Sequence, residues 1–345
     1  MHEHVFERIT LAKKALGDSV TILSHHYQKD EVVAHADFVG DSFLLSKRVA
    51  EESCSPNIVF CGVRFMAETA DILTRGERCV ILPDEEAGCS LADMATGKEL
   101  EECWEYLLKM DLEPVPVAYV NSSAEVKAFC GRYGGATCTS SNAQQVFRWA
   151  LSQGDSILFL PDEQLGRNTA AKVGFAAEQV ASWSRQEKRV LSAARPRLIV
   201  WDGHCSVHTE FKVEHVMQAR REYPGAMVVV HPECRREVVD LADDVGSTEH
   251  LIRLVTSAPA GSAWVVGTEI HLVQRLARQN PDKAVFCLDP DARPCPGMDR
   301  ISASSLLSAL EALVRGNPEG VIRVDGEIAE FARLALRRML DIRRP

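Results

Sequence analysis

The sequence predicts an α/β fold of three pseudo-threefold-related α/β/α repeats with small parallel sheets and an active site at their junction. Short β-branched runs bounded by turn residues alternate with longer helical stretches, the pattern of parallel sheets covered by helices. One arrangement also recurs three times: a strand ending in a polar triplet, a Ser or Thr, and a later strand that stops at a cysteine. In the first copy Thr21-Ile22-Leu23 runs into His25-His26-Tyr27, Ser42 follows, and Val80-Ile81-Leu82 leads to Cys89. In the second, Pro116-Val117-Ala118 runs into Tyr119-Val120-Asn121, Ser140 follows, and Leu198-Ile199-Val200 leads to Cys205. In the third, Val228-Val229-Val230 runs into His231-Pro232-Glu233, Thr248 follows, and Ala284-Val285-Phe286 leads to Cys295. Copies one and three share a register, with 17 residues from triplet to hydroxyl and 64 from triplet to cysteine. The second is longer, at 21 and 86, and a segment around Gly131 to Ala136 accounts for part of the difference.

Helices are expected over Glu125 to Phe129, Glu237 to Asp243 and Thr268 to Gln279. Pro114-Val115-Pro116 and Tyr223-Pro224-Gly225 punctuate the chain near the boundaries, giving repeats at 1–107, 108–217 and 218–300. The tail, 301–345, reads as helical with a short strand at Val321 to Val324, and is expected to pack back onto the first repeat. In parallel sheets ligands bind at the carboxyl ends of the strands, where both the triplets and the cysteines lie.

Composition narrows the class. The hydrophobic fraction of 46% over 345 residues is ample for several cores. Apolar runs such as Ala226 to Val230 fall far short of the roughly 20 residues that span a bilayer. The start, Met1-His2-Glu3-His4, lacks a basic region followed by an apolar one, so a cytoplasmic protein with no membrane partner is expected. A net charge of −10 argues against general binding to nucleic acid. Eleven cysteines without a secretion signal fit a reducing compartment.

No two cysteines form a C-x-x-C pair, so any metal site must be assembled by tertiary structure. Three thiolates suit zinc or an iron–sulfur cluster, and spacing alone leaves both open. A four-iron cluster on three cysteines keeps one iron open as a Lewis acid; zinc with an open position would activate water. An iron–sulfur sensor is a further alternative, although triplets rich in proton-transfer groups fit turnover better. The simplest readings of individual residues are plainer: Ser42, Ser140 and Thr248 as helix N-caps, and His25, His231 and Glu233 as satisfied strand-end or helix-start groups. Cys54, Cys61, Cys79, Cys103, Cys130, Cys138, Cys234 and Cys287 read as packing thiols. The Arg185 to Arg197 stretch and the Arg333 to Arg344 end read as solvated helix faces.

Several strings together carry a specific resemblance. Ile22-Leu23-Ser24-His25-His26-Tyr27-Gln28, Gly40-Asp41-Ser42, Phe60 to Glu68, Ala87 to Asp93, Tyr119 to Ala128 and Cys138-Thr139-Ser140-Ser141-Asn142 stand in one order with Cys205-Ser206-Val207-His208, His231-Pro232-Glu233-Cys234, Gly246-Ser247-Thr248, Gly267-Thr268-Glu269 and Cys295-Pro296-Gly297-Met298. From about residue 20 to 300 the chain thereby resembles the quinolinate synthase family. The resemblance implies condensation of iminoaspartate with dihydroxyacetone phosphate to quinolinate, phosphate and water in de novo NAD biosynthesis. It also implies a [4Fe-4S] cluster on Cys89, Cys205 and Cys295, which chooses the cluster over zinc. Tyr27, Glu233 and His208 are then the proton-transfer candidates, and His25, Tyr119, Asn121 and His231 hold the substrates. Ser42, Ser140 and Thr248 are expected to bind substrate anions. An aspartate oxidase is implied as the source of iminoaspartate, without direct contact. Where some family members carry a C-x-x-C-x-x-C run at the last ligand, this chain has Asp289, Ala292 and Cys295, so a disulfide switch is not expected.

Overall fold

A computed structural model describes residues 2–51, 55–191 and 195–342. The reading of Cys54 as a packing thiol lies outside the described residues, as do Arg343 and Arg344. The fold is α/β, with three small, mainly parallel sheets and helices between the strands. The first sheet uses β1 (Val20–His25), β2 (Phe38–Gly40), β3 (Asn57–Cys61) and β4 (Cys79–Ile81). The second uses β5 (Val115–Tyr119), β6 (Ala136–Cys138), β7 (Ile157–Leu160), β8 (Val180–Ser184), β9 (Arg189–Leu191) and β10 (Leu198–Trp201). The third uses β11 (Met227–Val230), β12 (Asp244–Val245), β13 (Ala263–Gly267) and β14 (Ala284–Cys287). A last strand, β15 (Val321–Ile322), returns to the first sheet and pairs antiparallel with β4, giving the order β15-β4-β3-β1-β2. The others run β6-β5-β7-β10-β8-β9 and β12-β11-β13-β14.

Copies one and three are repeated with one constant offset. Helices Asp30–Val33, Ser42–Glu51 and Arg64–Leu73 and strand β3 each start and end 206 residues before Arg236–Val239, Thr248–Ser257, Ile270–Gln279 and β13. Hydrogen bonds repeat too. Asp37 accepts from the Ile22 backbone N–H at 2.7 Å, and Asp243 accepts from that of Val228 at the same distance. That carboxylate corrects the helix expected through Asp243: the Asp243 N–H also donates to the Val228 carbonyl and draws the chain towards the sheet, so the helix stops at Val239. A side-chain oxygen and a backbone group that compete for sheet partners are the usual reason Asp ends a helix.

Apolar burial joins the units. Leu100, Trp104 and Leu107, on helix Gly97–Lys109, pack with Ala118, Leu158, Ile199 and Trp201 of the second sheet. Fully burying such side chains contributes about 1.5–3 kcal/mol each. Thr96 and Glu99 form a capping box that fixes where this helix begins. In the tail, helix Ala303–Val314 lies against helix His2–Leu16, while the last helix, Gly326–Asp341, lies along helix Ala124–Arg132 of the second unit. The return onto the first sheet is therefore only half of the tail's packing. Gly131 makes the helix contact possible, because a Cβ there would stand 1.8 Å from the Phe331 carbonyl oxygen. Gly131→Ala is expected to lower stability by roughly 1–3 kcal/mol through forced separation of these helices, read as a fall in thermal midpoint.

Two basic stretches also differ from expectation. Residues Arg185 to Lys188 form the turn of the β8–β9 hairpin rather than a helix face, with Arg185 paired to Glu99 and Arg197 stacked over Phe175. Arg333 and Arg338 do lie on the last helix, but they donate to the Ile72 and Gly135 carbonyls and so fasten it to its neighbours. No helix among the described residues is long and apolar enough to cross a membrane.

Candidate functional site

The carboxyl ends of β1, β5 and β11 point into one cavity, about 640 Å³ including its mouth, that lies between the three sheets. All thirteen residues singled out in the sequence line it: His25, Tyr27, Ser42, Cys89, Tyr119, Asn121, Ser140, Cys205, His208, His231, Glu233, Thr248 and Cys295. Phe65, Met66, Val63 and Met298 supply its apolar wall.

A continuous polar chain crosses this cavity. The Tyr27 phenol is 2.8 Å from both Thr248 Oγ1 and Thr268 Oγ1, and Thr268 Oγ1 lies 3.2 Å from His208 Nε2. Glu233 Oε2 then sits 3.2 Å from His208 Nδ1 and 3.1 Å from His231 Nδ1, and His231 Nε2 is 3.2 Å from Ser140 Oγ. The two imidazoles stack with centroids 4.3 Å apart, and the Tyr119 hydroxyl donates to Glu233 at 3.4 Å. His208, His231 and Glu233 are each only 2% exposed.

Burial sets the charges. It pushes the Tyr27 phenol well above its ordinary value, and does the same to Tyr119 with help from the Glu233 charge. Burial also lowers His25 and takes His231 down to about 4, with His208 adding to the effect. Burial alone would raise the Glu233 carboxyl, but His208 and His231 hold it well below the usual carboxylate range. Asp162, buried behind Glu233, moves the other way through desolvation and the Glu233 charge. The site therefore keeps an ionised Glu233 carboxylate near the neutral His25 and His231 imidazoles and the protonated Tyr27 and Tyr119 phenols. Between about pH 6.5 and 4 the unfolded chain takes up a proton on His231 that the folded protein refuses, so stability falls with pH through that window. The thermal midpoint is expected to drop from pH 6.5 towards 4.5, and less steeply in His231→Gln; parallel curves would contradict the assigned shift.

The hydroxyls do not act as caps. Ser42 and Thr248 are the first residues of their helices, after Asp41, which accepts from the Leu44 N–H at 2.9 Å, and Ser247, the N-cap. Ser140 precedes the N-cap Asn142, whose carboxamide oxygen accepts from the Thr139 N–H. All three hydroxyls are left facing the cavity, close to helix starts where backbone N–H groups lack helical partners.

Cys89, Cys205 and Cys295 meet on one side, in loops that follow β4, β10 and β14. None is in a disulfide. Enclosure raises all three thiols, Cys89 to about 12. Backbone N–H groups of Leu91 and Ala92, of His208, and of Gly297 and Met298 nevertheless point at the three sulfurs. Groups that stabilise thiolates around sulfurs that burial keeps protonated fit a site for a thiolate-bound metal group. Gly297 brings the loops together, since a Cβ there would lie 1.9 Å from the Gly88 carbonyl oxygen. A second donor set overlaps it: the ligand atoms of Cys205, His208 and Glu233 lie within 4.8 Å of one another. Asn121 Oδ1 and Glu233 Oε1 are buried without a hydrogen-bond partner.

Several residues at the site were not assigned a role from the sequence. Thr268 and Glu269 follow β13, where the first copy has Gly62 and Val63, so the repeat gave no hint of polar function. Lys127 is fully buried, donates to the Ser122 carbonyl next to Asn121, and is lowered by desolvation to about 8.

Fold and cavity together define an α/β enzyme assembled from internal repeats, with sulfur donors at one end of its cavity and a line of acid–base groups at the other. The chain belongs to the family described as quinolinate synthetase A protein, which it matches over residues 7–341. It is 48% identical to the quinolinate synthase of Corynebacterium glutamicum, covering 99% of this chain and 88% of that one. Identity to the quinolinate synthases of Bacillus pumilus and Bacillus subtilis is 46% and 47%, over 98% and 97% of this chain and 92% of each relative.

Proposed function

We propose that this chain condenses iminoaspartate with dihydroxyacetone phosphate, releasing quinolinate, phosphate and water. The observation that carries the reading is the meeting, in one cavity, of every strand-end triplet, hydroxyl and cysteine from the three repeats, 1–107 with 301–345, 108–217 and 218–300. Cys89, Cys205 and Cys295 would hold a [4Fe-4S] cluster, which when bound supplies an open iron as Lewis acid for loss of water. Zinc would bind the same sulfurs, but would not explain the family.

The chain's own residues account for the proton traffic. Glu233, ionised and backed by His208, accepts a proton from substrate carbon or nitrogen; the adjoining imidazole takes it on towards Thr268. Tyr27, kept protonated, donates to a departing oxygen and is recharged through Thr268 from His208. Ser42, Ser140 and Thr248, with nearby helix-start N–H groups, hold carboxylate or phosphate. His25, Tyr119, Asn121 and His231 orient the substrates; the unpartnered Asn121 Oδ1 offers an acceptor to the substrate nitrogen.

The test is anaerobic purification followed by assay with dihydroxyacetone phosphate and freshly generated iminoaspartate, with iron and sulfide measured on the same sample. Quinolinate in proportion to cluster supports the reading. Cluster without product favours a sensor, and zinc without sulfide overturns the cofactor.

A further inference from the structure

Tyr27 is supplied by the first repeat, yet its backbone is held by the third. Three successive carbonyls around it are captured from helix Ile270–Gln279. Arg275 donates to the His26 carbonyl and, at 3.0 Å, to that of Gln28; His271 Nδ1 lies 3.3 Å from the Tyr27 carbonyl between them. His271 is held in turn by Glu269, whose Oε1 is 3.2 Å from the same nitrogen and accepts from the Cys295 N–H at 3.3 Å. One helix start thus fastens both the phenol-bearing segment and the loop of Cys295.

The internal repeat supplies a comparison. At the constant offset of 206, the counterparts of Glu269, His271 and Arg275 are Val63, Phe65 and Thr69. Thr69 only donates back to Phe65 in its own helix. The same scaffold position is thus filled in the first copy without any charge. Arg275 is 6% exposed, and a guanidinium at that depth is costly unless its donors are used. Here they are spent on backbone carbonyls beside Tyr27 and on Asp30. A carbonyl clamp of this kind fixes where a side chain points without touching substrate.

We propose that Arg275 and His271 are positioning residues that hold the Tyr27 phenol between Thr248 and Thr268, in reach of His208 through Thr268, for proton transfer. This rests on the role given to Tyr27 above. The test uses anaerobically purified holoenzyme of Arg275→Gln, Arg275→Lys, Tyr27→Phe and the Tyr27→Phe/Arg275→Gln double variant, with Arg278→Gln as a control for the neighbouring ion pair to Asp30. Arg275→Gln is expected to lower kcat about 10²-fold, with the KM for dihydroxyacetone phosphate within about twofold and iron and sulfide unchanged. Arg275→Lys recovers part of the rate, and Arg278→Gln keeps it. In the Tyr27→Phe background the Arg275 substitution adds little, because residues acting through one group are not additive. A full further loss in the double variant overturns the proposal, as does a loss that tracks missing cluster. If Arg275→Gln does not fold, the same comparison is made with Arg275→Lys. A Tyr27→Phe enzyme of normal rate would instead overturn the role of Tyr27, and the clamp with it.

Discussion

Serine in place of Cys89, Cys205 or Cys295 is expected to reduce quinolinate formation to background and to leave each purified variant without stoichiometric iron and sulfide. The three thiols line one cavity wall, and each has backbone N–H groups directed at its sulfur. Serine keeps the shape of the side chain but replaces a soft, ionisable donor by a hard hydroxyl that burial keeps neutral. With two thiolates left, the site loses a sulfur ligand that Cys61, Cys138 and Cys234 cannot replace, since all three are fully buried in the cores. Cys79→Ser, at the half-buried first residue of β4, is expected to keep both cluster and activity. Full cluster in any one of the three variants would break the ligand assignment.

Glu233→Gln is expected to lower kcat by roughly 10²–10⁴-fold, the usual worth of a positioned acid–base group, with iron and sulfide unchanged. The carboxylate sits between two imidazoles at 3.2 and 3.1 Å, which hold it well below the usual carboxylate range. Glutamine fills the same volume but cannot accept a proton, and its NH₂ would face a nitrogen of His208 or His231. A variant within about threefold of wild type would show that the proton goes elsewhere.

Much of this was legible in the chain because the chemistry is placed by strand ends. β-branched runs at Thr21, Val228 and Leu198 announce parallel strands, and in such sheets whatever follows the last strand residue faces the ligand. The equal spacing of copies one and three then brought together His25 and His231, Ser42 and Thr248, and two of the cysteines. Other features have no local signature. The stop at Val239 depends on Asp243 reaching β11, and the hairpin at Arg185 on a second strand folding back. Lys127 and Arg275 lie within helices and Glu269 caps one, positions that look solvent-facing in one dimension, and only tertiary packing buries them. The seat of the last helix is set by a missing side chain at Gly131, visible only once its neighbour is in place.

β15 has a consequence for biosynthesis. It closes the edge of the first sheet with residues 321–322, and the helix after it completes the wall of the second unit. A ribosome that has delivered all three cysteines still has these segments to make. A nascent chain that ends just after Cys295 still has the β4 edge unpaired. A truncation before residue 321 would therefore keep Cys89, Cys205 and Cys295 in the chain and leave the β4 edge of the first sheet unpaired.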